Sequence, residues 1–290
     1  ENIELNFKRG GKLSVSATKT LTINGSFSAG PYQVFSGDGS VIFNTNSVIN
    51  PKWFGAKGDG VTDDTAAIQK SMANNINQTI LLPKGTYKTT SPLFIPALVS
   101  FEGSGNSTVI KPDYSNWVGS DYRALVFESK EGINYFNRDF CKSIKNFTIE
   151  AVGSATVQAI AIDFRAADPL LTTPTTVNHS VYSAFMSNIG IYRFDTAINI
   201  FELWGTSITD ICISECREAI HIEGQAVNNM FSRIQAGNFT NDYTNSTANT
   251  VGIYVTHSNR YNGVYRRPEG FCFDSCLIFG AYNNVKVDSC

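Results

Sequence analysis

The fifteen residues 186–200 recur without a gap at 208–222 and again at 273–287. Each copy alternates apolar and polar positions, with Ile189, Ile191, Ile198 and Ile200 in the first matched by Ile211, Ile213, Ile220 and Ile222 in the second. Strict alternation marks a strand with one face buried. Looser copies begin at Ile144 and Phe231, so the starts are 144, 186, 208, 231 and 273, with steps of 42, 22, 23 and 42. A period of 22 holding two short strands is one turn of a β-solenoid, and the 42-residue steps are turns that carry long loops. Stacked coils sit ~4.8 Å apart, so equivalent residues form columns. Phe147, Ile189, Ile211, Ile234 and Cys276 make one inward column, and Ile149, Ile191, Ile213 and Ile278 make another. No coil buries its apolar face alone, so the stack needs closed ends.

The first third of the chain is strand and turn, and residues 1–50 read as a strand-rich lead-in to a β-helix over 51–290. The one helical pattern is 63–74, with Ile68 and Met72 on a single face. It is expected to be the N-terminal cap of the coil stack. Asp59, Asp63 and Asp64 are read as turn and helix-cap acids, because an oxygen side chain there serves the bare N–H groups of a helix start. The chain opens on Glu1 and stops within the strand pattern 285–290, which suggests a piece of a longer protein.

Composition narrows the function classes. Charged residues are 17% and the net charge is −2, so no field attracts nucleic acid. No run reaches the 18 or so apolar residues of a membrane helix. The six cysteines include two pairs at a spacing of four, Cys212/Cys216 and Cys272/Cys276. Neither pair has a histidine at finger spacing, so packing is a better account of them than zinc or disulfides.

The segments 53–69 (Trp53-Phe-Gly-Ala-Lys-Gly-Asp-Gly-Val-Thr-Asp-Asp onward) and 80–87 (Ile80-Leu-Leu-Pro-Lys-Gly-Thr-Tyr) resemble the opening of the pectate-lyase-like superfamily. The lead-in 30–54 is similar to that of bacteriophage tailspikes with polysaccharide depolymerase activity. The resemblance implies an all-β fold, a single-stranded right-handed parallel β-helix. It also implies an enzyme that binds and cleaves a bacterial capsule or O-antigen, works as a homotrimer with other tail proteins, and resides in the virion tail. The alternatives are a secreted bacterial polysaccharide lyase or glycanase and a non-enzymatic adhesin or stalk. Several catalytic signatures of relatives are missing: Asp-Pro-His, Gly-His-Gly, Arg-Ile-Lys and Trp-Ile-Asp-His do not occur, and Arg233-Ile234-Gln235 departs at its third residue. A calcium-dependent pectate lyase is therefore disfavoured, and no metal or other cofactor is expected.

Glycoside hydrolysis uses two carboxyl groups, ~5 Å apart for retention or ~6.5–9.5 Å for inversion. The repeat places Asp163, Phe201, Glu223, Thr256 and Asp288 just after the second strand of successive coils, with Glu202 and His257 one step on. Glu202 and Glu223, beside Trp204 as a sugar platform, are the expected pair. Asp163 and Asp210 are the reserves. Arg193, His221 and His257 are candidate sugar ligands, with Arg193 joined to Asp210, Glu215 and Arg217 in a second cluster. Tyr192 and Tyr254 read as surface packing or contacts between copies. The long turns 163–185, 239–251 and 256–271 are expected to wall the groove.

Overall fold

A computed structural model describes residues 4–45, 47–75, 77–96, 98–128, 142–153, 159–165, 181–182, 184–239, 249–256, 258–261, 264–266 and 268–288. It is a right-handed parallel β-helix built on one 19-stranded sheet. Two ladders run through the stack. The first passes through Lys142–Glu150, Ala184–Tyr192, Ser207–Ser214 and the later part of Glu218–Gly237. The second passes through Arg123–Glu128, Ile160–Arg165, Thr196–Trp204, the start of Glu218–Gly237, Val251–Val255 and Asn283–Val287.

The columns expected from the repeat are the core. Phe147 pairs with Ile189, Ile189 with Ile211 and Ile211 with Ile234. Ile149, Ile191, Ile213, Ala236 and Ile278 form the next column. These are buried except Ile278, which, like Cys276 expected in the first column, packs against the core from a half-buried position. Period-2 alternation with β-branched residues suits such a surface, because the branched side chains pack on the pleat.

Coil corners are made by left-handed residues. Asn146, Asn188, Asp210, Arg233 and Ser275 have φ of 65°, 53°, 56°, 50° and 52°. Five residues later in the middle coils come Arg193, Glu215 and Asn238, also at positive φ. A non-glycine residue in this region is tolerated best when short and polar. Asn188 also donates to the Asn146 side chain one coil away at 2.9 Å, so the corner itself stacks.

The helix spans Thr65–Met72, with Ile68 and Met72 fully buried. Its contacts run to two parts of the chain and do not establish the expected terminal cap. Gln69 exchanges two hydrogen bonds with the Phe94 backbone in the coil stack. Asn75 accepts from Phe43 N and donates to Val41 O in the lead-in. The helix thus ties the lead-in to the stack. The four described cysteines, Cys212, Cys216, Cys272 and Cys276, are unpaired, and burial pushes the Cys216 thiol up to about 12.

The acidic motif is spent on local structure. Asp59 accepts from the Val61 and Thr62 backbone N–H groups and from the Thr62 hydroxyl, which together lower its pKa to about 2. Asp63 accepts from Thr65 N at 3.0 Å, as a cap residue does. Asp64 does not cap. Its buried carboxylate turns back to accept from Lys57 N at 2.6 Å and Gly58 N at 2.9 Å. Asp64→Ala leaves both donors without that partner and should lower stability by about 2 kcal/mol in urea denaturation.

Candidate active-site groove

The second ladder presents its outward residues on one flank. One row reads Asp163, Asn199, His221, Tyr254 and Lys286, each paired with the next. A second reads Thr196, Glu218, Val251 and Asn283. Between them lies a groove of about 500 Å³ that also includes Asp195, Arg217 and Glu223.

The groove is organised by an ion-paired chain. The Arg217 guanidinium grips Asp195 through Nε at 2.6 Å and Nη2 at 2.8 Å, a bidentate pair that fixes its plane. Its Nη1 donates to Glu218 Oε1 at 2.6 Å. Glu218 is buried, and Thr196 donates to its other oxygen at 3.3 Å. The same oxygen lies 3.3 Å from His221 Nδ1. Burial works to raise the Glu218 pKa, but the His221 hydrogen bond and the Arg217 charge outweigh it and hold the carboxyl below the ordinary glutamate value.

The aromatic side of the groove continues along the row. Tyr254 stacks on the His221 ring, with centroids 4.6 Å apart and planes at 26°. Lys286 Nζ lies over the Tyr254 ring at 4.5 Å. Asp288 accepts from both Tyr254 Oη at 2.7 Å and Lys286 Nζ at 2.8 Å. The Asp288 bond is the first cause of the raised tyrosine pKa, and Lys286 is the first cause of the lowered aspartate pKa.

The residues singled out from sequence separate into groups. His221 and Glu223 line the groove. Glu202 is in register with Gln225, since the ladder slips by one residue between Ile200 and Glu202. Trp204 is half-buried two residues further on, in register with Tyr182 and Val227.

Asp163 pairs with Asn199, not with Phe201 and Glu223, so its expected register was two residues out. It is fully buried, accepting from Arg123 at 3.0 Å and Asn199 at 2.7 Å. A carboxylate enclosed by a guanidinium and an amide is a structural charge. Asp210 sits at an exposed corner and is gripped by Arg233 at 2.6 and 2.7 Å. Arg193 is bound at another corner by Glu150 and Glu215, both at 3.0 Å. The second cluster is therefore three separate sets of ion pairs. His257 lies outside the described residues, as do most of the long turns assigned as groove walls.

Glu218, Asp195 and Tyr254 were not recognised as site residues. The repeat contained the signal for one of them. Asp195 and Arg217 occupy the same position of adjacent coils, 22 residues apart, and opposite charges in one column face each other across the ladder.

The fold is a right-handed parallel β-helix with a groove on one flank, and residues 48–168 match the family described as rhamnogalacturonase A/epimerase, pectate lyase-like. Among relatives, a capsule K30/K69-specific depolymerase of Klebsiella phage K64-1 is 42% identical over 55 residues, 19% of this chain and 7% of that one. The tail spike protein of Shigella phage Sf6 is 25% identical over 253 residues, 82% of this chain and 36% of that one. In shape, Geobacillus virus E2 ORF18 superposes with a TM-score of 0.54 at 17% identity, covering 83% of this chain and 50% of that one. The chain thus spans half or less of the length of each of these proteins.

Proposed function

We propose that this chain is the β-helical part of a bacteriophage tailspike-type protein that binds a bacterial surface polysaccharide, capsule or O-antigen, and cleaves its glycosidic bonds in the flank groove. The observation that carries the reading is the groove itself. Rows of hydroxyl-binding and aromatic side chains run across stacked coils from Asn199 through His221 and Tyr254 to Lys286. An extended polymer meets such rows as a ladder of equivalent contacts, with polar groups and ring edges repeated at the coil spacing. The two phage relatives point the same way, by the words depolymerase and tail spike in their names. On this reading the protein works from the virion tail at the host surface, as a homotrimer with other tail proteins, and Glu223 is one of the reacting carboxyls.

The test is incubation with purified capsular and O-antigen polysaccharides from a panel of Gram-negative strains. Reducing ends without absorbance at 235 nm mean hydrolysis, and both together mean a lyase. Binding to a polysaccharide that stays intact would establish an adhesin and defeat the catalytic reading.

A further inference from the structure

We infer that His221 and Glu223 are the base and acid of an inverting glycoside hydrolase site, with Glu218 as the residue that positions the imidazole. The inference rests on the polysaccharide reading above and specifies its chemistry.

Geometry assigns the roles. His221 and Glu223 are alternate residues of the strand Glu218–Gly237, separated by the fully buried Ile222, so both face outward. Both line the groove. Two residues along a strand have Cα atoms about 6.6 Å apart, and side chains leaving one face at that spacing leave room for a water between base and acid, as inversion requires. Glu202 pairs instead with Gln225, beyond the register slip.

Hydrogen bonding assigns the proton. Glu218 is held ionised by Arg217 and can only accept. Its contact with Nδ1 therefore puts the imidazole hydrogen on Nδ1 and leaves the lone pair of the neutral ring on Nε2. Nε2 is enclosed in the ladder between Asn199 and Tyr254 and has no hydrogen-bond partner among the described residues. A buried acceptor of this kind calls for a donor, and the donor that fits a general base is an O–H group. A modest displacement of the stacked Tyr254 ring by an incoming sugar opens the way to it.

The step balances. Nε2 takes a proton from water as the water oxygen bonds to the anomeric carbon from the face opposite the leaving group. The bond from that carbon to the glycosidic oxygen breaks, and the Glu223 carboxyl gives its proton to that oxygen. Solvent then returns the imidazolium proton to the Glu223 carboxylate, and one water has been added across the bond.

The charged and titratable groups around the ring are Glu218 and Glu223 on its own strand, Arg217 behind Glu218, and Tyr254 on the next coil with Lys286 over its ring. Asn199, on the preceding coil, is neutral and bound to Asp163.

Three variants and two spectra test the assignment. On whichever panel polysaccharide the parent protein hydrolyses, His221→Gln and Glu223→Gln should each cut the rate by ~100-fold or more while retaining binding. Glu218→Gln should lower kcat with little change in KM, a split that loss of packing alone would not produce. Proton NMR of the first product should show the anomer opposite to the linkage cleaved. Nitrogen-15 NMR of the unliganded protein, with the signal assigned by its loss in His221→Gln, should show neutral His221 protonated at Nδ1.

A retained anomer, near-parental rates in either glutamine variant, or an Nε2–H tautomer overturns the pair while leaving the polysaccharide reading intact. A parent protein that degrades no member of the panel defeats that reading, and the pair falls with it.

Discussion

Ile211→Asp should abolish folding. Ile211 is 1% exposed and stacks between Ile189 and Ile234 on the neighbouring coils. Truncating such a side chain costs about 2–5 kcal/mol through lost burial and the cavity left behind. The aspartate adds a charge between the apolar Ile189 and Ile234, which costs several kcal/mol more even after its pKa rises. Native domains have only ~5–15 kcal/mol to lose, so the sum takes most or all of it. Far-UV circular dichroism and a urea melt at neutral pH read the outcome, with Ile211→Val, expected to cost ~1 kcal/mol, as the control. An Ile211→Asp protein that melts with the parent would mean that the column does not exist and that the repeat was aligned wrongly.

That column was legible because burial and repeat length agree. Five equivalent positions carry apolar side chains, and a slip of one residue would send all of them to solvent. A slip of two keeps every face and changes only the partner. This is why Asp163 was misplaced: Ala159–Ile162 and Ala161–Phe164 offer the same alternation, and only the polar pairing of Asp163 with Asn199 separates them. The helix was visible for a similar reason, since Ile68 and Met72 share a face, but the direction of the Asp64 side chain depends on where the 57–58 backbone returns. Glu202 and Glu223 looked adjacent because the repeat assumes equal coils. The extra residue opposite Phe201 shifts the register at that point, and a single irregularity cannot be read from periodicity.

The groove shows how a repeat can build a chain of polar contacts. Each coil differs from the next by one strand spacing, so a functional row needs only one suitable residue per period. Asp195 and Arg217 sit in adjacent coils at one position, and Glu218 follows directly. The bidentate fork fixes the guanidinium, the guanidinium fixes the carboxylate, and the carboxylate fixes the imidazole of His221. Each member stands on a ladder strand, which is what the proposed site would need to hold its geometry.

The same chain hangs on Arg217, which holds both Asp195 and Glu218. Arg217→Met keeps much of the side-chain volume but removes the cation, leaving the buried Glu218 carboxylate and the half-buried Asp195 side by side. Breaking a buried pair from one side costs ~3–5 kcal/mol, and the partial exposure of this arginine, 23% for its side chain, places the loss near 3. The effect carries a pH signature. In the parent the Glu218 pKa is depressed, so its stabilisation is present above the unfolded value of about 4.5 and is lost as pH falls through the folded pKa. In the variant burial is no longer offset by the guanidinium, the carboxyl is held above its depressed value, and protonation relieves the repulsion between the two acids. The stability gap between parent and variant should therefore be widest near pH 7 and narrow below about pH 4.5. Arg217→Lys retains the charge without the planar fork and should fall between the two. Urea melts of the three proteins from pH 3.5 to 7.5 decide it. A gap that is absent at pH 7, or one that grows in acid, would show that the Asp195–Arg217–Glu218 chain does not hold the groove together.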